Sequence, residues 1–181
     1  MKNDNTISPH PDWLDRSLTL RCLAPADRHL HHAMSLQIVS TLASPEYLIP
    51  MTEEEYDDTY TCDNQDVVYG IFHGNQLVAT SSLLHDVRAY SGNEELTCAL
   101  QHPCAEIGEC MVLPEYRGHG LMLHLNRLIV NEARRQGIHY MLATAHPDNI
   151  ASNTSLQHLG YQLQKEFLRS GKRRGERDIP H

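Results

Sequence analysis

The chain has 181 residues, 40% of them hydrophobic, and a formal net charge of −8. Length and apolar content are typical of one domain with a single core. The acidic charge argues against nucleic acid as the main partner, because phosphate binding needs a basic face, and it mildly favours cationic substrates.

Since no 18 apolar residues occur in a row, we expect no membrane-spanning helix. The polar start, with Pro9 and Pro11, predicts a flexible arm over 1–17 before one domain over 18–181.

Cysteine and histidine usage indicates the compartment and bears on metal binding. The five cysteines are odd in number and include no Cys-x-x-Cys pair. A disulfide framework or a zinc site is therefore not expected, and a cytoplasmic location fits best. His29, His31 and His32 lie close together, but no standard metal-ligand spacing is present. We interpret these histidines as a polar helix face and expect no bound metal.

Apolar runs and 3.6-residue periodicity predict the elements in chain order. They are a strand over 18–23, a helix from Pro25 to about Thr41, a short acidic helix over 51–60, strands over 66–73, 76–84 and 105–113, a long helix from Leu121 that Gly137 ends, a strand over 138–145, a helix over 149–159, and strands over 161–168 and 176–179 around Gly171 and Gly175. Thr52 and Glu55 form a capping box for the acidic helix, and Gly74-Asn75 is a hairpin signal. Residues 87–104 are predicted to be a connection. The order predicts an α/β fold with a mixed sheet and helices packed on it.

The stretch MVLPEYRGHGLM over 111–122 combines a strand end, a tight turn and a helix start. Gly118 and Gly120 leave the backbone N–H groups of the turn sterically open. The N-terminus of the following helix carries partial positive charge, so the turn suits a phosphate or pyrophosphate. A dinucleotide-binding protein ranks last, because the third glycine of that fingerprint is missing and no Gly-x-x-x-x-Gly-Lys-Ser/Thr occurs.

Two motifs carry a resemblance to a known family. Val112-x-Pro114-x-x-Arg117-Gly118-x-Gly120 resembles the pyrophosphate signature of the GNAT superfamily of acyl-CoA-dependent N-acetyltransferases. Downstream, Asn149-x-x-Ser152 followed by Gly160-Tyr161 resembles the helix whose Asn contacts coenzyme A near the pantetheine. The resemblance covers roughly residues 18–180. It implies a GNAT-like fold with about six to seven strands and about four helices on both faces, with acetyl-CoA as co-substrate and no metal.

The resemblance also implies which residues contact coenzyme A. The strand backbone would pair with the pantetheine arm and the acyl carbonyl, and N–H groups of the turn would hold the pyrophosphate. The implied contacts are Cys110, Met111, Val112, Arg117, Gly118, His119, Gly120, Leu121, Met122, Leu123, Asn149 and Ser152. Three of these have other readings: Cys110 as an acyl-carrying nucleophile or a buried apolar residue, Asn149 as a helix N-cap, and Ser152 as a helix-packing residue.

The chain departs from the family pattern at two positions. Met122 stands where the signature usually ends in glycine or alanine. Leu156 stands where catalytic members usually carry the tyrosine that protonates the departing thiolate. The usual general acid is therefore missing.

Two carboxylates on the predicted strand over 105–113 are candidates for the general base. An amine arrives protonated at neutral pH, so a base must take its proton. Glu106-Ile107-x-x-Cys110 resembles the strand of the histone acetyltransferases whose glutamate is the base, which places Glu106 ahead of Glu109. The two have opposite parity on a regular strand, so we expect only one to face the cleft unless a bulge intervenes. The alternative to a general base, for Glu106 as for Glu109, is an outward-facing carboxylate in contact with solvent.

These observations predict transfer of an acetyl group from acetyl-CoA to a primary amine of a small molecule or a peptide, by direct attack on the thioester. The alternative is a non-catalytic acyl-CoA-binding module. The presence of Leu156 in place of the usual general-acid tyrosine favours this alternative. The acidic run over 53–58 would attract a cationic acceptor, although solvated helix charge is the commoner explanation. The identity of the acceptor, the acyl length and a homodimer are left open.

Overall fold

The computed structural model describes residues 17–61, 65–85, 103–169 and 172–180. Its main elements are β1 (Leu18–Cys22), α1 (Arg28–Thr41), α2 (Glu53–Thr59), β2 (Val67–His73), β3 (Gln76–Leu84), β4 (Cys104–Val112), α3 (Leu121–Arg135), β5 (Tyr140–Ala145), α4 (Ile150–His158), β6 (Gln162–Arg169) and β7 (Lys172–Pro180). The predicted arm over 1–17 and connection over 87–104 lie, except for their last residues, outside the described ranges. No helix in the described part is long and apolar enough to cross a membrane.

The strands form one seven-stranded sheet in the order β1-β2-β3-β4-β5-β7-β6. All neighbours are antiparallel except β4 and β5, which run parallel. Gly74 and Asn75 join β2 to β3 as predicted, and Gly74 has a φ of 59°, which glycine adopts without steric cost. The predicted mixed sheet is confirmed.

Helices cover both faces of the sheet, as Glu109 and Cys110 of β4 show. The Tyr56 hydroxyl of α2 donates to Glu109 Oε2 at 3.1 Å, whereas Cys110 Sγ lies 3.4 Å from Asn126 Oδ1 of α3. The two side chains thus contact helices on opposite sides of β4, with α2 and its neighbour α1 on one face of the sheet and α3 on the other. Helix α4 packs against α3 and β5. The predicted placement of helices on both faces is confirmed.

The apolar stripe of α3 fixes this helix against the centre of the sheet. Leu121, Leu125, Ile129 and Ala133 are buried at helical spacing. Burying a leucine or isoleucine side chain stabilises the fold by about 1.5–3 kcal/mol. Because α3 packs against β3 and β4, its N-terminus opens at the end of β4, where the phosphate-binding turn was predicted.

The last hairpin differs from the sequence prediction. Strand β7 begins at Lys172, and Gly175 lies inside the strand rather than in a turn. It pairs with Ala145 of β5 and Glu166 of β6. A Cβ atom at Gly175 would lie 3.0 Å from Leu163 Cδ1 and 2.9 Å from Arg177 Nη1, so close packing explains the glycine. Gly171 lies outside the described residues.

Candidate active site

Strands β4 and β5 pair along only part of their length. Cys104–Ile107 pairs with Tyr140–Ala143, and within the described residues the parallel pairing goes no further. Beyond this point β4 continues along β3 to Val112, and β5 continues along β7 to Ala145. The two strands therefore separate and leave a gap in the middle of the sheet.

A cleft of 1510 Å³ occupies this gap and extends over the sheet. Both candidate bases and most of the predicted coenzyme contacts line it, namely Glu106, Glu109, Cys110, Met111, Val112, Arg117, Gly118, Gly120, Leu121, Met122, Leu123, Asn149 and Ser152. His119 is exposed in the turn, and its side chain does not line the cleft. The predicted site residues other than His119 thus lie around one cleft, and their roles stay predictions.

The turn between β4 and α3 has the geometry of an anion site. Gly118 and Gly120 have φ values of 82° and 73°, a region that residues with a Cβ atom rarely adopt. No atom lies within 4 Å of a Cβ built on either glycine, so their backbones face open space. The Arg117 Nε–H donates to Val112 O at 3.0 Å and ties the turn to the strand end. Met122 packs in part against the apolar core.

The first turn of α3 supplies free donors to this space. Gly120 is the N-cap, and the first N–H groups of an α-helix have no partner within the helix. They carry the partial positive charge of the helix terminus. Backbone N–H groups at a helix start of this kind can bind a phosphate or a diphosphate.

Helix α4 forms the opposite wall of the cleft. The Asn149 side chain accepts from the Ser152 N–H at 3.2 Å, so the N-cap reading of Asn149 is confirmed while the residue also lines the cleft. Ser152 is half-buried. Leu156 is buried, lines the cleft and packs in an apolar cluster with Ile129 and Tyr161.

A β-bulge brings Glu109 into the site. Thr80 of β3 pairs with Met111 and Ser82 pairs with Gly108, so Ser81 alone faces two residues of β4. Glu109 has a φ of 45°, which is rare for a residue with a side chain. The bulge resolves the parity conflict, because Glu106 and Glu109 both line the cleft.

The Glu109 carboxylate is buried in a polar pocket. Its side chain is 3% exposed. It accepts hydrogen bonds from the Tyr56 hydroxyl and from the backbone N–H of Met51. Burial disfavours the charged form more than these donors favour it, and raises the pKa of Glu109 to about 7. A carboxyl group with this pKa exchanges protons near neutral pH.

Unlike Glu109, Glu106 lies in the part of β4 that pairs with strands on both sides. It pairs with Leu84 of β3 and with Leu142 of β5, below the point where β4 and β5 separate. Glu106 Oε1 accepts from the Thr144 hydroxyl at 3.2 Å. The backbone of Glu106 therefore lies in the closed part of the sheet, and its side chain is held by Thr144, one residue past the paired segment. Glu109 lies beside the opening itself.

Cys110 has the environment of an unreactive thiol. Its Sγ lies 3.4 Å from both Ser81 Oγ and Asn126 Oδ1. Burial raises the pKa of Cys110 to about 12, and a thiol is a nucleophile only when deprotonated. The structure thus favours an unreactive thiol at Cys110, which is half-buried and lines the cleft.

His31 corrects the prediction of a polar histidine face. His29 is exposed and His32 half-buried, but His31 is completely buried. It shares the inner face of α1 with Met34, Ser35 and Ile38, at positions i, i+3, i+4 and i+7. This periodicity was the signal in the sequence that could have identified His31 as a core residue. Its Nε2 atom lies 3.9 Å from Glu109 Oε2.

The acidic residues of α2 fall into two groups, one that forms ion pairs with α1 and one that lines the cleft. Glu53 and Asp57 form ion pairs with Arg28 of α1, whereas Glu54, Glu55 and Asp58 line the cleft. The capping box is confirmed, with Thr52 accepting from the Glu55 N–H at 3.2 Å. The contact of Tyr56 with Glu109 could not be predicted from the sequence, because Tyr56 lies among charged residues and nothing local relates it to Glu109.

The loop between α1 and α2 crosses to the far half of the sheet. Glu46 Oε2 lies 3.0 Å from His146 Nε2. The Arg174 guanidinium donates to the backbone oxygen of Glu46 at 2.6 Å, and the Tyr47 hydroxyl donates to Asp148 O at 3.3 Å. Side chains therefore bridge the two halves of the sheet where backbone pairing between β4 and β5 has ended.

Comparison with known protein families agrees with this geometry. The model of the acetyltransferase (GNAT) family matches residues 36–161, which include the gap, the turn and α4. The chain is also similar to the N-acetyltransferase YodP of Bacillus subtilis (strain 168), with 36% identity over 78 residues. That match covers 43% of this chain and 28% of the relative, so the chain matches only part of that protein.

Solved structures of the same fold cover nearly the whole chain. One is yncA of Salmonella typhimurium, a putative acetyltransferase with its cofactor acetyl-CoA, at TM-score 0.68 and 19% identity over 91% of this chain and 94% of that one. Another is NAA60 of Arabidopsis thaliana in complex with a bisubstrate analogue, at TM-score 0.68 and 11% identity over 90% and 97%. At these identities the similarity establishes the fold.

Proposed function

Because this chain belongs to the GNAT family of acetyltransferases, we propose that it transfers an acetyl group from acetyl-CoA to a primary amine, with Glu109 as general base. The observation that carries the proposal is the position of Glu109. A buried carboxyl with a pKa of about 7 lies beside the gap between β4 and β5. The N–H groups of the phosphate-binding turn lie at the end of the same strand.

The residues fit acetyl-CoA as co-substrate. The edge of β4 from Gly108 to Val112 offers backbone groups to the pantetheine amides, and Gly118 to Leu123 offer N–H groups to the pyrophosphate. Asn149 and Ser152 face this path from α4. In this arrangement the thioester carbonyl would lie beside the bulge, on the side of Glu109.

Glu109 supplies the proton transfer that the reaction needs. The amine nitrogen forms a bond to the thioester carbon, the bond from that carbon to sulfur breaks, and coenzyme A leaves as a thiolate. Glu109 accepts the proton that the ammonium loses before attack, and the second proton, lost by the nitrogen as the amide forms, goes to the thiolate or to water. General-base catalysis accelerates such a reaction about 10²–10⁴-fold. Tyr56 and the Met51 N–H hold the carboxylate in place.

The acceptor side of the cleft supports a cationic amine. Glu54, Glu55 and Asp58 line the cleft on the α2 side, together with Glu109. Carboxylates attract ammonium groups and raise their local concentration. A thiol-release assay with acetyl-CoA against polyamines, amino acids, peptides and neutral amines tests this. Turnover of neutral amines alone would contradict the cationic preference, and no turnover with any amine would contradict the activity.

We expect acetyl-CoA to raise the melting temperature. A ligand that binds only the native state stabilises it by about 2.7 kcal/mol at 100 times its dissociation constant. The measurement is a thermal melt with and without millimolar acetyl-CoA, with a nicotinamide dinucleotide as control. A shift with the dinucleotide and none with acetyl-CoA would show that the turn binds another phosphate ligand.

The second candidate function, a non-catalytic acyl-CoA-binding module, rests on Leu156. We propose that no dedicated acid is needed, because a thiol with a pKa of about 8.5 leaves readily as thiolate. Leu156→Tyr should then change kcat by less than about tenfold. Leu156→Phe is the matched control, because it adds the same ring without the hydroxyl. A gain of several hundredfold in Leu156→Tyr and none in Leu156→Phe would favour the non-catalytic module.

A cytoplasmic location and a single domain over 18–181 stay predictions. The free thiols of Cys22, Cys104 and Cys110 are consistent with a reducing compartment.

A further inference from the structure

We propose that His31, fixed by Tyr60, is a positioning residue that directs an N–H at the Glu109 carboxylate and keeps this base ionisable near neutral pH. The proposal rests on the assignment of Glu109 as the base. It concerns two side chains that lie outside the coenzyme-binding elements, on α1 and at the end of α2.

The geometry assigns a specific tautomer to His31. Its Nδ1 lies 3.0 Å from the Tyr60 hydroxyl, and its Nε2 lies 3.9 Å from Glu109 Oε2. A neutral imidazole has one donor and one acceptor nitrogen. If Tyr60 donates to Nδ1, the hydrogen is on Nε2 and faces the carboxylate. In the other tautomer a lone pair would face a carboxylate oxygen in a buried site, which is unfavourable.

Burial keeps His31 in the state that this role requires. The ring is completely buried, and Nε2 makes no hydrogen bond within the described residues. Burial, together with the neighbouring His32, lowers the pKa of His31 to about 4. The ring is therefore neutral at pH 7 and acts through its N–H dipole. At 3.9 Å the Nε2–H is too far from Glu109 Oε2 for a hydrogen bond, so it stabilises the charged carboxylate through its dipole alone.

Other groups around Glu109 act in both directions. Tyr56 from α2 and the Met51 N–H from the preceding loop donate to the carboxylate and lower its pKa. Glu55 from α2 and Glu106 from β4 are negative and raise its pKa. On the opposite face of β4, Cys110 is an undissociated thiol, because its own pKa is raised to about 12. Of the groups described around Glu109, His31 is the imidazole that faces its carboxylate oxygen.

The test compares His31→Phe with His31→Gln. Phenylalanine retains a planar ring but has no donor, whereas the glutamine amide can place an N–H near the position of Nε2. We expect the acidic limb of the pH profile of kcat/KM to move upward by about one pH unit in His31→Phe, a tenfold change in the ionisation constant. It should stay near the parent position in His31→Gln. Tyr60→Phe should move the limb upward as well, because it removes the hydroxyl that fixes the tautomer.

Two controls keep the outcomes separate. Acetyl-CoA affinity and melting temperature show whether each variant is folded. If all three variants have a lower kcat/KM but the acidic limb of the pH profile stays in place, His31 is only a packing residue and the inference is overturned. Glu109→Gln tests the proposed function by itself. If that variant retains the acidic limb, Glu109 is not the base. If it loses the limb while His31→Phe leaves it in place, only the inference about His31 fails.

Discussion

Glu109→Gln should lower kcat/KM by about 10²–10⁴-fold near neutral pH, the range that general-base catalysis supplies. Glutamine keeps the size of the side chain and still accepts a hydrogen bond from Tyr56, but its amide cannot take a proton. Coenzyme affinity should change little, because the pyrophosphate and pantetheine contacts lie on other residues. Steady-state kinetics with the best acceptor, and an acetyl-CoA titration, measure the two quantities.

The pH profile gives the same prediction a second readout. Burial raises the pKa of Glu109 to about 7, so the carboxyl is protonated and inactive below this pH. In the parent protein kcat/KM should therefore rise with pH through about 7. In Glu109→Gln this limb should be absent, and the remaining activity should depend only on ionisation of the amine.

Glu106→Gln is the matched control. It makes the same chemical change on the same strand at a residue that is also buried and also lines the cleft. We expect it to retain much more activity, because Glu106 lies where β4 and β5 are still paired. A large loss in Glu106→Gln with none in Glu109→Gln would restore the order that the histone acetyltransferase resemblance favours. No loss in either would mean that another group deprotonates the amine.

Gly120→Val should weaken acetyl-CoA binding by about 10- to 150-fold, the equivalent of one charge-assisted hydrogen bond at about 1.5–3 kcal/mol. The side chain would fill the open space in front of the helix N-terminus, where the diphosphate needs close approach to the backbone. Isothermal titration with acetyl-CoA measures the affinity.

Backbone strain requires its own control, since Gly120 has a φ of 73°. Gly137, beyond the other end of α3, has a φ of 72° and the same open surroundings. A left-handed conformation costs a residue with a side chain about 1–2 kcal/mol, so both variants should lose similar stability. Only Gly120→Val should lose coenzyme affinity. Equal affinities in the two variants and the parent would show that the pyrophosphate binds elsewhere.

The features that could be predicted from the sequence are local ones. The φ values of Gly118 and Gly120 follow from their place in a strand–turn–helix motif, and the capping box of Thr52 and Glu55 involves residues three apart. The hairpin at Gly74-Asn75 is equally local. Each depends on short-range geometry that a few neighbouring residues determine, so no tertiary contact was needed to infer it.

The arrangement around Glu109 could not be obtained in this way. The bulge depends on the pairing of β4 with β3, and only the pairing shows that Ser81 faces two residues. Tyr56 and His31 reach Glu109 from helices far away in sequence, through contacts that depend on how α1 and α2 pack. Gly175 was placed in a turn because glycine is common there, whereas close packing against Leu163 is its reason in the sheet.

The gap between β4 and β5 has a consequence for the solution behaviour of the protein. From Gly108 to Val112 one side of a central strand has no strand partner within the described residues, which gives the sheet an edge in its interior. Exposed strand edges are templates for pairing with other chains and hence for aggregation. The bulge at Glu109 interrupts the regular backbone of that edge. If Glu109 is the base, the irregularity that turns its carboxylate into the cleft also makes this edge a poor template for pairing with a second chain.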